Sequence, residues 1–169
     1  LTGLTQGAQP IISYNFGAKK IDRMKKAIRL LVTTAVAYAT FCWLLTRIAP
    51  RLLVGVFTSD PELQTFTVWA LGIYMAMVFV SGIQTSFQQS FIALGEARIS
   101  LFLALLRKII LLIPLILILP NFFDDKLFAV FLAEPISDFI AAMSTMTFFL
   151  WRVRKIIANL QKPDLEKEI

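Results

Sequence analysis

Four stretches of this chain stay apolar for as long as a bilayer is thick, and that bounds every fold open to it. A hydrocarbon core about 30 Å across takes roughly 20 apolar residues of helix, and residues 30–49, 66–93, 99–119 and 127–150 each reach that length. With 57% of residues hydrophobic, no ordinary soluble core accounts for such blocks. A transmembrane β-barrel would need short alternating strands, and a secretory signal is a single N-terminal segment. The runs therefore read as helices, and the fold class is all-α, a polytopic transmembrane bundle. Residues 1–13 read as the end of a truncated helix that starts upstream, 14–29 as a basic loop, 30–150 as a four-span bundle and 151–169 as a tail.

The charges orient the bundle. The net charge is +6, but the cations flank spans instead of forming a surface for nucleic acid. Lys19, Lys20, Arg23, Lys25, Lys26, Arg29, Arg98, Arg152, Arg154, Lys155, Lys162 and Lys167 fall on one side, and only Arg47, Arg51 and Lys126 on the other. The positive-inside rule places the basic loop, the 95–98 turn and the tail in the cytoplasm; the expected location is multi-pass in the plasma (inner) membrane. The run 19–29 reads as a juxtamembrane anchor, each cation contributing about 1 kcal/mol toward an anionic leaflet. Ser59-Asp60-Pro61-Glu62, Pro120-Asn121 and Asp124-Asp125 carry ordinary helix punctuation.

The chain has no histidine and one cysteine, Cys42, which lies inside the first span. No metal cluster, intrachain disulfide, phosphate loop or cofactor site is expected, and no enzyme. Function must then sit where polarity is retained in the bilayer despite its cost. In the second span Tyr74, Met77, Ser81, Gln84, Thr85 and Gln88 share one helical stripe. Two readings stand open: hydrogen bonding between packed helices, or the wall of a hydrated substrate path.

The fourth span carries Glu134 and Asp138 one turn apart, with Pro135 between them. At about 1.5 Å per residue Asp138 lies near the midplane, roughly 17 Å below the outer boundary. Ionised groups at that depth are costly and by default mark ion or proton pathways, which makes the pair the candidate cation-coupling site. Pro135 removes a backbone hydrogen bond and can open a bend beside it. The competing reading is a structural ion pair with Arg107 or Lys108 of the third span, and both readings remain open at this point.

The residues Gly7-Ala8-Gln9-Pro10-Ile11-Ile12-Ser13-Tyr14-Asn15-Phe16-Gly17-Ala18 resemble the Gln-Pro-Ile…Tyr-Asn-[Tyr/Phe]-Gly-Ala signature of multidrug and toxic compound extrusion (MATE) transporters. Gln9, Pro10, Asn15 and Gly17 carry it. Phe57 to Glu62, Ala93 to Arg98, Leu106-Arg107…Pro114…Pro120 and Pro135…Asp138 are similar to later parts of the same pattern. The resemblance implies the end of helix 8 through helix 12 of a twelve-helix protein, whose N-terminal lobe is a missing partner of this chain. It further implies export of drugs or organic cations against inward H+ or Na+ by alternating access, with no cofactor. In sodium-coupled relatives a carboxylate and a tyrosine on helix 10 contribute to a cation site, whereas here that stretch carries Tyr74 and glutamines without an acid, so a sodium site of that type is not expected. A lipid-linked saccharide flippase, which would want basic residues for a pyrophosphate, and a non-transporting structural subunit are the alternatives.

Overall fold

In a computed structural model, which describes residues 1–161, nearly all of the backbone is helical. Lys162, Lys167 and the end of the expected tail lie outside the described residues. Helix α1 (Thr2–Gly17) turns into α2 (Ile21–Ile48), followed by the short α3 (Pro50–Gly55), α4 (Pro61–Tyr74) and α5 (Ser81–Ala93). The next helix runs Ala97–Asn121 and contains α6 (Ala97–Leu105), a π-helical segment (Leu106–Leu112) and α7 (Ile113–Ile118). The last, α8 (Lys126–Gln161), continues through Pro135. Ile21–Ile48, Ala97–Asn121 and Lys126–Gln161 are each long and apolar enough to cross a bilayer.

The second expected span is not the continuous helix that residues 66–93 predict. It is two helices, Pro61–Tyr74 and Val78–Ala93, bent by 46° at a short break. No proline or glycine lies in the break to announce it. What holds it is tertiary: the indole Nε1 of Trp43 on α2 donates to the Ala76 carbonyl at 3.1 Å, satisfying a group that would be expensive to leave bare in hydrocarbon. The Trp43 ring also meets Phe79 edge-on, with centroids 5.5 Å apart.

The expected 14–29 loop shrinks to residues 18–20, with the rest taken up by α1 and the first turns of α2. The reason is a Schellman ending. The Lys20 amide donates to Asn15 O at 2.9 Å and the Lys19 amide to Phe16 O at 3.0 Å, with Lys19 in the left-handed region at φ 53°. α5 ends the same way. Glu96 donates to Phe91 O at 2.8 Å and Gly95 to Ile92 O at 3.1 Å, with Gly95 at φ 82°, where the absence of a Cβ removes the steric penalty. The 151–161 part of the expected tail likewise continues α8 as helix. At the opposite end Asp60 caps α4 by accepting from Glu62 and Leu63 amides, and Asp125 caps α8 by accepting from Leu127 and Phe128 at 3.0 Å each. These caps sit where the punctuation predicted.

α2 presents Met24, Ile28, Leu31, Ala35 and Ala39 as one buried stripe. Its small residues let α5 come close: a Cβ built on Gly82 would lie 2.6 Å from the Ala35 carbonyl oxygen. Between α5 and α8, Phe87 stacks on Phe149 at 4.6 Å and Phe91 meets Phe149 edge-on at 5.0 Å. Arg152 of α8 donates from Nε and Nη2 to Glu96 Oε1 at 3.0 and 2.7 Å, clamping the α5–α6 turn. Leu101, Phe102, Ile109, Ile113 and Leu117 point outward from the third spanning helix, the surface a bilayer would cover.

Candidate functional site

The buried face of α8 carries Glu134, Ser137, Asp138, Thr145 and Phe149. Its small residues Ala133, Ala141 and Ala142 let neighbouring helices pack against it. Glu134 and Asp138 are 7% and 6% exposed, so their charges need partners. The third spanning helix supplies them. Arg107 Nη2 lies 2.6 Å from Asp138 Oδ1 and 3.4 Å from Glu134 Oε1, and Lys108 Nζ lies 3.2 Å from the same Glu134 oxygen. Of the two sequence readings, the geometry thus brings all four ionisable residues into one cluster of two cations and two anions.

The local backbone explains how adjacent residues share one carboxylate. Neighbouring side chains on an α-helix diverge by about 100°. Arg107 and Lys108 instead stand in the π-helical segment Leu106–Leu112, whose wider turn lets both point at α8, a distortion that recurs at functional sites. Pro114 just beyond lacks an amide donor and crowds the carbonyl four residues before it, a local cause for the altered register. Ser137 Oγ of α8 donates to the Arg107 carbonyl at 3.0 Å, fixing the segment against α8. Neither the π turn nor this hydroxyl clamp follows from residue spacing.

The cluster is not saturated. Asp138 Oδ1 touches the guanidinium as an ion contact without hydrogen-bond alignment, and Arg107 Nε has no partner among the described residues. A buried network with spare capacity can accept a further partner, and it is costly until it does. Tyr74, at the end of α4, lies within electrostatic range of Glu134, Asp138 and Arg107, so the broken helix borders the same cluster.

The stripe of the second span is divided by the break. Tyr74 and Met77 stand above Ser81, Gln84, Thr85 and Gln88, and the six do not share one straight face. Ser81 donates to the Val78 carbonyl at 2.6 Å and Thr85 to that of Ser81, so both hydroxyls are satisfied within their own segment. Gln84 is different. It is 2% exposed and neither Nε2 nor Oε1 has a hydrogen-bond partner among the described residues. Gln88 is half-buried.

Residues 1–118 match the MatE protein family. The chain belongs to that family. Among solved structures similar to this MatE chain, the MATE multidrug transporter DinF-BH superposes with a TM-score of 0.82 and 34% identity, over 93% of this chain and 34% of that one. The Vibrio cholerae MATE transporter VcmN in its bent form shares the fold, with a TM-score of 0.79 and 20% identity over 90% of this chain and 34% of that one. The multidrug export protein MepA of Staphylococcus haemolyticus is 25% identical over 143 residues, which are 83% of this chain and 31% of MepA. The chain thus spans about a third of the length of the relatives it matches.

The MatE signature now has a physical reading. Gln89 Nε2 of α5 donates to Gln9 Oε1 at 2.6 Å, and Ser13 Oγ donates to the Ala93 carbonyl at 2.9 Å, docking α1 on α5. Pro10 lies within α1, which continues past it. Asn15 Nδ2 donates to the Ile11 carbonyl at 2.7 Å, one turn before the Schellman ending, and Gly17 is the last helical residue. The family match ends before α8, so Arg107 and Lys108 fall inside it while Glu134 and Asp138 lie beyond it.

Proposed function

We propose that this chain is part of a multi-pass MATE antiporter that exports drugs or other organic cations in exchange for inward H+ or Na+ by alternating access. Asp138, Glu134 and Arg107 are its coupling centre. The observation that supports this most is the unsaturated charge cluster that the two buried carboxylates of α8 form with the π turn. A proton on Asp138 removes the attraction that holds Arg107, and a sodium ion would compete with the guanidinium for the same oxygen. Either event leaves Arg107 with Glu134 and loosens the third helix from α8, beside the break in the second span. Tyr74, at the end of α4, lies near this cluster, so the carboxylates beside it come from α8 where helix 10 itself offers none. The names of MepA and DinF-BH as multidrug proteins agree with this reading. The flippase reading is weaker because Arg107 and Lys108 are both engaged by carboxylates.

The test is full-length protein in liposomes with a cationic dye inside. Dye export is expected only under an opposing H+ or Na+ gradient, and the rate should fall at least tenfold when the gradient is collapsed. Export indifferent to both gradients overturns antiport, and no export of any cation supports the structural-subunit alternative.

Gln84 serves in this proposal as a polar contact on the substrate path, together with Gln88. Gln84→Leu removes two orphaned polar atoms whose burial costs about 1–3 kcal/mol. Thermal stability in detergent should therefore hold or rise while export falls severalfold. A destabilised Gln84→Leu protein would instead identify the amide as a packing bond. We also place the 18–20 turn, the 95–98 turn and the end of α8 in the cytoplasm, from the uneven distribution of cations, and the whole protein in the plasma membrane. Cysteine introduced as Lys20→Cys should react with an impermeant thiol reagent only after permeabilisation, and labelling of intact cells would invert the topology.

A further inference from the structure

At the basic end of the bundle α2, α5 and α8 enclose a cleft of about 570 Å³, within the usual range for bound small molecules. Its depth is lined by Val32, Phe87, Phe149 and Val153 with one hydroxyl, Thr33, while Lys25, Arg29 and Arg154 stand toward the helix ends beside Ile28 and Ile157 and form its mouth. The gradient from charge to hydrocarbon follows the helix axes. Val32 lies about 10 Å deeper than Lys25 along α2, and Phe149 about 7 Å deeper than Arg154 along α8. None of the three cations is in an ion pair among the described residues, where the bridges involve Arg107, Lys108 and Arg152. Asp22 lines an adjoining hollow with Lys19, Lys20 and Arg23, and Lys25 borders both.

We infer that this cleft binds an anionic phospholipid, its phosphate against Lys25, Arg29 and Arg154 and an acyl chain along Ile28, Val32, Phe149 and Val153. Charge complementarity selects the occupant. A neutral lipid leaves three neighbouring cations unmatched, a soluble anion leaves the apolar walls uncovered, and an apolar helix does nothing for the mouth. Basic pockets between spanning helices recognise such headgroups for these reasons. The lipid would bridge α2 to α8 next to the Phe87/Phe149 stack, so the site lies apart from the charge cluster and does not depend on the antiport reading.

The experiment titrates full-length protein in detergent with dioleoyl phosphatidylglycerol or dioleoyl phosphatidylcholine and counts retained lipid by native mass spectrometry. One cation near an anionic head is worth about fivefold in affinity, so phosphatidylglycerol should be retained at least tenfold more tightly. The combination Lys25→Gln, Arg29→Gln and Arg154→Gln should erase that preference, while Arg23→Gln, Lys26→Gln and Arg98→Gln together should leave it within twofold. Val153→Trp fills the cleft and should lower retention at least fivefold with every cation in place. If the first combination does not fold, Arg154→Gln alone decides, with a loss of about fivefold expected. Equal retention of the two lipids, equal loss in the control combination, or retention untouched by Val153→Trp each overturns the site.

Discussion

Asp138→Asn in the full-length protein is expected to cut the gradient dependence of export at least tenfold while substrate binding stays measurable. The side chain keeps its shape and loses its charge. Arg107 then retains only Glu134, 3.4 Å away, and a half-buried guanidinium loses its shorter contact. Removing one partner of a buried pair costs about 3–5 kcal/mol. The loss here should fall toward the lower value, because Glu134 remains and the Arg107 side chain is 26% exposed. Some destabilisation is thus expected whether the pair couples ions or only holds helices together, and stability alone cannot separate the two. The double variant Asp138→Leu with Arg107→Met does. If the pair is only structural, neutralising both partners restores stability and gradient-dependent export together. If Asp138 couples, stability returns and coupling does not. Glu134→Gln should shift the pH dependence of export without abolishing it. An Asp138→Asn protein that folds and exports with unchanged gradient dependence removes Asp138 from the mechanism.

The second large effect is steric. Gly82→Val should abolish accumulation of folded protein or lower its melting midpoint by many degrees. An added Cβ meets the Ala35 carbonyl oxygen at 2.6 Å, the Ala35 carbonyl carbon at 2.8 Å and the Val36 Cα at 2.9 Å. All three are backbone atoms, so no side chain can swing away and the helix axes must part. Overpacking typically costs about 1–3 kcal/mol. Here separation would also disturb the Trp43 bond to Ala76 and the buried stripe of α2. Gly82→Ala should lie between wild type and Gly82→Val. Gly72→Ala is the comparator, since its nearest contact is the Arg47 side chain at an ordinary 3.8 Å, and alanine gains about 0.8–1 kcal/mol of helix propensity. Equal melting of the Gly82→Val and wild-type proteins would contradict the close approach of α2 and α5.

What could be read in residue order was whatever local chemistry dictates. Asp60 and Asp125 cap helices because their carboxylates accept amides two and three residues on, a relation visible in sequence. The apolar run lengths predicted the spanning helices for the same reason. The break at residues 75–77 was not visible, because the bond that satisfies Ala76 comes from Trp43, 33 residues earlier. Lys19 was not visible as a Schellman residue, because lysine is no marker for positive φ. Both carboxylates and both cations were found in the sequence, yet their pairing was not decided there. Whether Arg107 and Lys108 reach α8 depends on a π turn, and helical spacing counted at 3.6 residues per turn cannot anticipate one.

The charge cluster also bears on how such a chain enters the bilayer. The third helix carries Arg107 and Lys108 and the fourth carries Glu134 and Asp138. At about 2.5–3.5 kcal/mol for each charged residue near a helix centre, either helix alone bears roughly 5–7 kcal/mol of insertion cost. For the third it is offset by an 18-residue stretch of mean hydropathy 2.6, against 1.6 for the corresponding stretch of the fourth. Opposite signs at matching depth let each helix neutralise the other, and only the short segment between Asn121 and Lys126 joins them. The two are therefore expected to insert as one helical hairpin, since the charges of each cost least in lipid once the other is beside it.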